Sequence, residues 1–345
     1  MQNLMQNKKD ILLSGSLSGR GGIQTTNLEL KDILTKNDCD VDIFNDPSEL
    51  FMILQKRKVY DASIFSSYYI FYAPFIRSKI KIFNTHGFYL PNSPHRLKAF
   101  VYPIFLRFAR LMNCVFIAPS PMSLLVNSYH CSDKVYCIPW GYSESKVAAI
   151  SDISEFSQRD IDILFIGRFT EEKVNLASLE TIIKFFLTLR ESLKISIAGA
   201  GSMETRIMNF IEYVNSTYQN RVIFSYHGSV TDDVVRQLMN SSKFFINMHP
   251  FEAFGLSLLD AAASGMRLII PLGTGLIPFL ESSSIIPLEY FLNNRYHTAL
   301  EFKVNSLYDS KVMAIEYRKR LNWQIVCDSY LEIIDNFLKK PTLKN

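Results

Sequence analysis

Short apolar runs alternate with segments of helical periodicity along nearly the whole chain. The run Asp10–Ser14 is followed by glycines at 15, 19, 21 and 22 and then by a helical pattern over 25–34. That succession reads strand, glycine loop, helix. Further strands are predicted at 41–44, 62–65, 80–83, 114–118 and 135–138, with a helix over 96–111 interrupted at Pro103. A polar stretch over 143–159 follows, and then the alternation restarts. Strands are predicted at 161–166, 193–198, 222–226, 243–248 and 267–271. Helices are predicted at 176–190, 204–217, 231–239 and 255–264, with a long one over 310–338. Strand–helix alternation in both halves implies parallel sheets with right-handed crossovers. The expected fold is therefore α/β, two doubly wound domains joined near 143–159. Ligand is expected between them, at the carboxyl ends of the strands.

Composition agrees with two domains: 345 residues, 48% hydrophobic and 20% charged, exclude a disordered or fibrous chain. The net charge of +4 argues against a dedicated nucleic-acid coat, but it conceals an asymmetry. Residues 1–150 carry +6 and residues 151–345 carry −2. From Ala62 to Ser132 there is no acidic residue, while seven Lys/Arg and fifteen aromatics fall in those 71 positions. So long an acid-free run asks for an anionic partner. The five cysteines form no C-x-x-C pair and no zinc-spaced array, which predicts buried, inert thiols in a reducing compartment. The polar first ten residues are not a signal peptide. The uncharged stretch 111–132 is interrupted by Pro119, Pro121, Asn113, Asn127 and His130, so it makes a poor membrane span. The expectation is a soluble, cytosolic protein.

The segment from Pro250 to Gly265 is the most informative in chemistry. Glu252 precedes a helix, Gly255 lets the backbone approach a ligand, and Asp260 follows eight residues after Glu252. The helix start offers free N–H groups to an anion, while two carboxylates suit hydroxyls of a sugar or ribose. Helix-start carboxylates favoured by the macrodipole are the alternative. Gly167-Arg168 and Lys173 follow the first strand of the second half and supply a planar fork and a point charge suited to a diphosphate; a solvated loop is the alternative. Gly199-Ala-Gly201 begins a dinucleotide fingerprint that breaks at the third glycine. Asp38-x-Asp40-x-Asp42 and Asp160-x-Asp162 match a loose metal-binding pattern, but they sit at the amino ends of strands and read as solvated flanks.

In this order, Gly167-Arg168…Lys173, the strand ending in Gly-x-Gly, Val222-Ile-Phe-Ser-Tyr-His-Gly228 and Glu252…Asp260-Ala-Ala-Ala-Ser-Gly265 resemble the C-terminal half of retaining GT-B glycosyltransferases of family 4, the group 1 type. In the first half, Gly19-Arg-Gly-Gly22 resembles that family's glycine loop and Asn84-Thr-His86-Gly its active-site histidine segment. Pro119-Ser-Pro with 135–141 resembles its exit to the linker, and Leu321-Asn-Trp323…Tyr330 its closing helices. The resemblance covers nearly the whole chain.

It implies two Rossmann-like domains facing a central cleft: an acceptor-binding domain over 1–145, a nucleotide-sugar domain over 146–325, and a terminal helix and tail over 326–345. Arg168, Lys173, Gly21 and Gly22 would bind the donor diphosphate. Glu252 and His86 would act at the donor sugar as the catalytic pair. The backbone of Phe254, Gly255 and Leu256 would lie beside the sugar or phosphate, and Asp260 would hold the ribose. No metal and no cofactor are implied, and there is no nucleic-acid partner; the nucleotide sugar is a co-substrate, UDP first and GDP next. The acceptor would be a glycan or polyprenyl-diphosphate-linked glycan of a bacterial O-antigen or capsule. Two departures stand out: Asp260 is shorter than the usual Glu, and Val174 stands where glycine is common. His249 is read as structural. A non-catalytic sugar- or lipid-binding module and a dinucleotide-dependent oxidoreductase are the other classes.

Arg96, Lys98, Arg107 and Arg110 share a predicted helix with Phe100, Tyr102, Phe105 and Phe108, near Arg77, Lys79 and Lys81. This basic and aromatic region over 77–110 suits peripheral docking on an anionic membrane surface, at its cytoplasmic face. An amphipathic helix with core aromatics is the alternative.

Overall fold

The computed structural model describes residues 8–17, 21–87, 96–131, 134–293 and 296–339. Gly19 and Arg20 of the glycine loop lie outside them, as do the side chains of Arg96 and Lys98. The chain divides into two compact units, one drawn from Met1–Gly141 with Leu321–Asn345, the other Tyr142–Arg320.

The first unit is built from β1 (Asp10–Ser14), α1 (Gly22–Lys36), β2 (Asp40–Phe44), α2 (Leu50–Gln55), β3 (Tyr60–Ser66), β4 (Ser78–Asn84), α3 (Arg96–Leu111), β5 (Val115–Ala118), α4 (Pro121–Asn127) and β6 (Val135–Cys137). Its six strands form one sheet in the order β2-β1-β3-β4-β5-β6, and every pairing is parallel. Runs such as Ile11-Leu12-Leu13 and Ile82-Phe83 are buried on both faces, as a helix-covered parallel sheet requires. Helix α3 runs through Pro103 without a break.

The second unit comprises β7 (Ile161–Ile166), α5 (Leu176–Leu189), β8 (Leu193–Ala198), α6 (Glu204–Thr217), β9 (Val222–Tyr226), α7 (Asp232–Ser241), β10 (Ser242–Ile246), α8 (Leu256–Ala263), β11 (Arg267–Ile270), β12 (Ile285–Pro287), α9 (Leu288–Phe291), α10 (His297–Asn305) and α11 (Ser310–Arg320). Its sheet is also all parallel, in the order β12-β11-β10-β7-β8-β9. The strand order therefore reverses between β7 and β10.

Three expectations change. The long helix over 310–338 is two helices, α11 and α12 (Trp323–Lys339), separated at Leu321-Asn322. That break is where the chain passes back to the first unit, so α12 packs on α1 rather than forming a separate tail. Gly141 is pressed against the start of α12, where a Cβ would collide with the Trp323 backbone nitrogen. Tyr330 of α12 donates to Asn84 Oδ1 at 2.7 Å inside the unit. The acidic strand flanks are also less solvated than expected: Asp162 is buried and paired with Arg190 and Lys243, and Lys58 bridges Asp10, Asp40 and Asp42. Among the cysteines, Cys137 is exposed and the other four are buried.

Candidate active site

In a doubly wound sheet, ligands bind outside the carboxyl ends of the strands where the order reverses. In the second unit, that point is flanked by the loops after β7 and β10. The first carries Arg168 and Lys173, the second Glu252. The Lys173 ammonium lies 3.2 Å from Glu252 Oε2, with both side chains partly accessible. Arg168 is exposed and pairs with no group among the described residues. A cation–carboxylate pair thus sits at the switch point, with Arg168 on the same loop as Lys173.

Local packing explains the loop sequences. A Cβ on Gly199 would strike the Gly167 carbonyl, and one on Gly201 the Phe169 carbonyl. Both glycines hold positive φ, 144° and 155°. The Gly-x-Gly turn is therefore spent on seating the loop after β7, with Phe169 N–H bonded to Ala200 O at 3.0 Å. Val174, which departs from the family's glycine, is buried in the core of this unit. Its loop turns on Thr170, whose carbonyl accepts from Lys173 and Val174 N–H.

The Glu252 loop is shaped from both sides. Gly275 N–H donates to Glu252 O at 2.8 Å, and Gly273 packs so closely on Pro250 that a Cβ would meet its carbonyl. Sequence reasoning passed over both glycines; their place directly after a strand end was the available signal. His249 shapes the same turn: its Nδ1 accepts from Phe251 N–H at 3.3 Å, its own N–H donates to Asn247 Oδ1, and burial pushes its imidazole below the usual range. Gly255 caps α8 at φ 89°, a left-handed conformation that side chains resist. The Phe254 ring is buried against Phe279, so what Phe254 can offer a ligand is backbone. Leu256 opens the helix.

Asp260 sits differently. It is only 2% exposed, and its Oδ1 accepts the Ser143 N–H at 2.8 Å, with Lys146 Nζ 3.9 Å from Oδ2. Behind it, Arg159 is buried and ties two helix ends together. It donates to Met239 O and Ser242 O at the end of α7, to Ser264 O at the end of α8, and to Ser154 O. Burial lowers even this guanidinium to about 10. An arginine in a polar linker gave no sequence signal for this role.

In the first unit, Gly21 and Gly22 form the amino end of α1, beyond β1. A Cβ on Gly15 would strike Asn27, so that glycine lets α1 approach. Asn27 Nδ2 donates to Ser16 O, and its Oδ1 takes the Ser66 hydroxyl proton. Ser66 Oγ also lies 2.7 Å from His86 Nε2. His86 stacks on Trp140 at 5.8 Å, and Trp140 stacks on Trp323 at 6.1 Å. Desolvation lowers His86 from 6.5 to about 4, so it is neutral near pH 7.

Residues 160–276 match the family model described as Glycosyl transferases group 1. Mannosylfructose-phosphate synthase of Agrobacterium fabrum is 24% identical over 66% of this chain and 54% of that enzyme, so the chain spans about half the length of this curated relative. Among solved structures, Anabaena HepE in complex with UDP and glucose superposes with a TM-score of 0.69 at 14% identity, covering 95% of this chain and 99% of that one. WaaG, a glycosyltransferase involved in lipopolysaccharide biosynthesis, gives 0.62 at 12% identity, covering 94% and 99%. At such identities the structures speak for fold alone, and that fold is GT-B. Residues 160–276 thus resemble the group 1 glycosyl transferases, and the two parallel sheets have the GT-B fold.

Proposed function

We propose that the protein is a retaining glycosyltransferase. It moves a sugar from a nucleotide-sugar donor, UDP-linked first and GDP-linked next, to a glycan or polyprenyl-diphosphate-linked acceptor of a bacterial O-antigen or capsule. One observation carries the reading: the Lys173–Glu252 pair at the switch point of the second sheet, next to the amino end of α8 and on the same loop as Arg168. Lys173 and Arg168 would meet the charge that grows on the departing diphosphate, which is electrostatic stabilisation of the transition state. Glu252 would accept hydrogen bonds from sugar hydroxyls. His86, neutral near pH 7, would act at the donor sugar. In the step itself the bond from the anomeric carbon to the diphosphate breaks, the acceptor oxygen bonds on the same face, and its proton passes to the leaving phosphate oxygen. No metal is invoked. HepE bound to UDP and glucose, and WaaG in lipopolysaccharide synthesis, support the donor and acceptor classes. The test is transfer from UDP- and GDP-sugars with EDTA present, the product's anomeric proton being read by NMR. Retained configuration is expected; inversion or a strict metal requirement would overturn the mechanism.

The reading extends to peripheral docking on an anionic membrane face. Among the described residues, no helix is long and apolar enough to cross a membrane. Tyr102, Phe105 and Phe108 pack against the first unit's core, as the alternative for α3 held. Leu97, Phe100 and Leu111 on the same helix are each more than 70% exposed. Arg77, Arg107 and Arg110 are exposed as well. Apolar tips with basic neighbours suit shallow insertion. Flotation with phosphatidylglycerol vesicles should recover the protein and neutral vesicles should not; equal recovery would contradict the electrostatic part.

A further inference from the structure

We propose that Tyr68 is a stacking platform for a sugar ring of the acceptor, at the carboxyl edge of the first sheet. The inference rests on the glycosyltransferase reading above and narrows its acceptor to a saccharide whose ring lies on this unit.

Tyr68 follows the end of β3 by two residues. Ser66, the last residue of that strand, has its hydroxyl 2.7 Å from Nε2 of His86, which follows β4. Between Ser66 and Tyr68, Ser67 holds φ at 57°, a left-handed conformation uncommon for a residue with a side chain. The chain then makes a short 3-10 helix, Ser67–Tyr72, that carries two adjacent tyrosines in different settings. Tyr69 is buried, packs edge-on against Phe44 and donates its hydroxyl to Asn45 O, just past the end of β2. Tyr68 stacks on Tyr69, with ring centroids 4.5 Å apart and planes inclined by 23°, yet it is 44% exposed. A ring braced on a buried neighbour loses little freedom when a ligand stacks on it.

The surroundings select the ligand. Asp46 follows the Asn45 that receives the Tyr69 hydroxyl, and Glu49 Oε2 takes the N–H groups of both Asn45 and Asp46. Burial raises the Tyr69 phenol above its usual range, and Tyr68, Asp46 and Glu49 push the same way, so both carboxylates act on the tyrosine pair. Carboxylates repel a phosphate or an anionic headgroup, whereas they accept hydrogen bonds from hydroxyls. A pyranose has an apolar face of C–H groups and hydroxyls around its edge. That chemistry matches an aromatic face with acceptors beside it.

The test is saturation-transfer NMR of the methyl pyranosides of glucose, galactose, mannose and N-acetylglucosamine with wild type, Tyr68→Phe and Tyr68→Ala. Wild type is expected to transfer saturation to the C–H protons on one face of at least one glycoside. Tyr68→Phe keeps the ring and should retain the contact. Tyr68→Ala should weaken glycoside binding about fivefold or more at a melting temperature near that of wild type. If it melts well below, Tyr68→Leu, which covers Tyr69 without an aromatic face, replaces it and the same loss is expected. Equal transfer with and without the aromatic ring, or transfer from wild type to none of the glycosides, would overturn the proposal. So would reduced recovery of Tyr68→Ala on phosphatidylglycerol vesicles with its glycoside contact intact, since the ring would then serve a lipid surface. Nucleotide release from UDP- and GDP-sugars by wild type, measured without glycoside, tests the transferase reading separately. No release sinks that reading, whereas a glycoside contact that depends on the Tyr68 ring still supports the platform.

Discussion

Lys173 Nζ and Glu252 Oε2 lie 3.2 Å apart, bringing together the loops that follow the two adjacent strands between which the second sheet reverses its order. The pair is partly exposed, so it contributes little to stability, about 1 kcal/mol or less. Its significance is positional. Replacing Lys173 with Met is expected to weaken nucleotide binding. Glu252→Gln should leave nucleotide affinity near wild type while lowering kcat by about 10²–10³-fold. Calorimetry with the nucleotide and steady-state kinetics on the two variants separate these effects. Equal losses of affinity in both would place Glu252 at the nucleotide instead of the sugar.

His86 makes stability depend on pH in one window. The folded protein protonates it only near pH 4, whereas the unfolded chain does so near 6.5. Between these values the unfolded state binds more protons, so stability rises with pH across the window and is lost as pH falls through it. Melting curves from pH 4 to 7 should show a steeper rise for wild type than for His86→Gln. Parallel curves would show that the imidazole is not held neutral.

Arg159 carries four carbonyl contacts from a buried position. Arg159→Met leaves those carbonyls unpaired and should destabilise the Tyr142–Arg320 unit by about 3 kcal/mol or more. Arg159→Lys should recover little, since an ammonium cannot reproduce the guanidinium fork. Urea unfolding followed by fluorescence checks both.

Gly255 holds φ at 89° with Leu258 and Glu252 close to where a Cβ would stand. Gly255→Ala should cost about 1–3 kcal/mol of local strain, and it should displace the start of α8 from the donor. Loss of donor affinity greater than the loss of global stability is the expected pattern.

The architecture was legible because buried parallel strands are written as short apolar runs, and nearly every one from Asp10–Ser14 to Arg267–Ile270 is a strand. The short pieces escaped. Helices α2, α4, α9 and α10 span nine residues or fewer, and β12 only three, too few for periodicity to show. The division at Leu321 escaped because two helical patterns separated by two residues read as one. At the site, Arg168, Lys173 and Glu252 announced themselves through their places after strand ends. Arg159, the Ser66–His86 bond and the Ser143–Asp260 bond did not, since each joins residues remote in sequence or acts through the backbone, where no side-chain pattern records it.

The most direct measurement is nucleotide release from a panel of UDP- and GDP-sugars by wild type, Lys173→Met and Glu252→Gln, with folding of each verified by circular dichroism. The account predicts release from at least one nucleotide sugar by wild type and a loss of most turnover in both variants. Turnover in either variant equal to wild type, or no nucleotide sugar turned over by wild type, would contradict it.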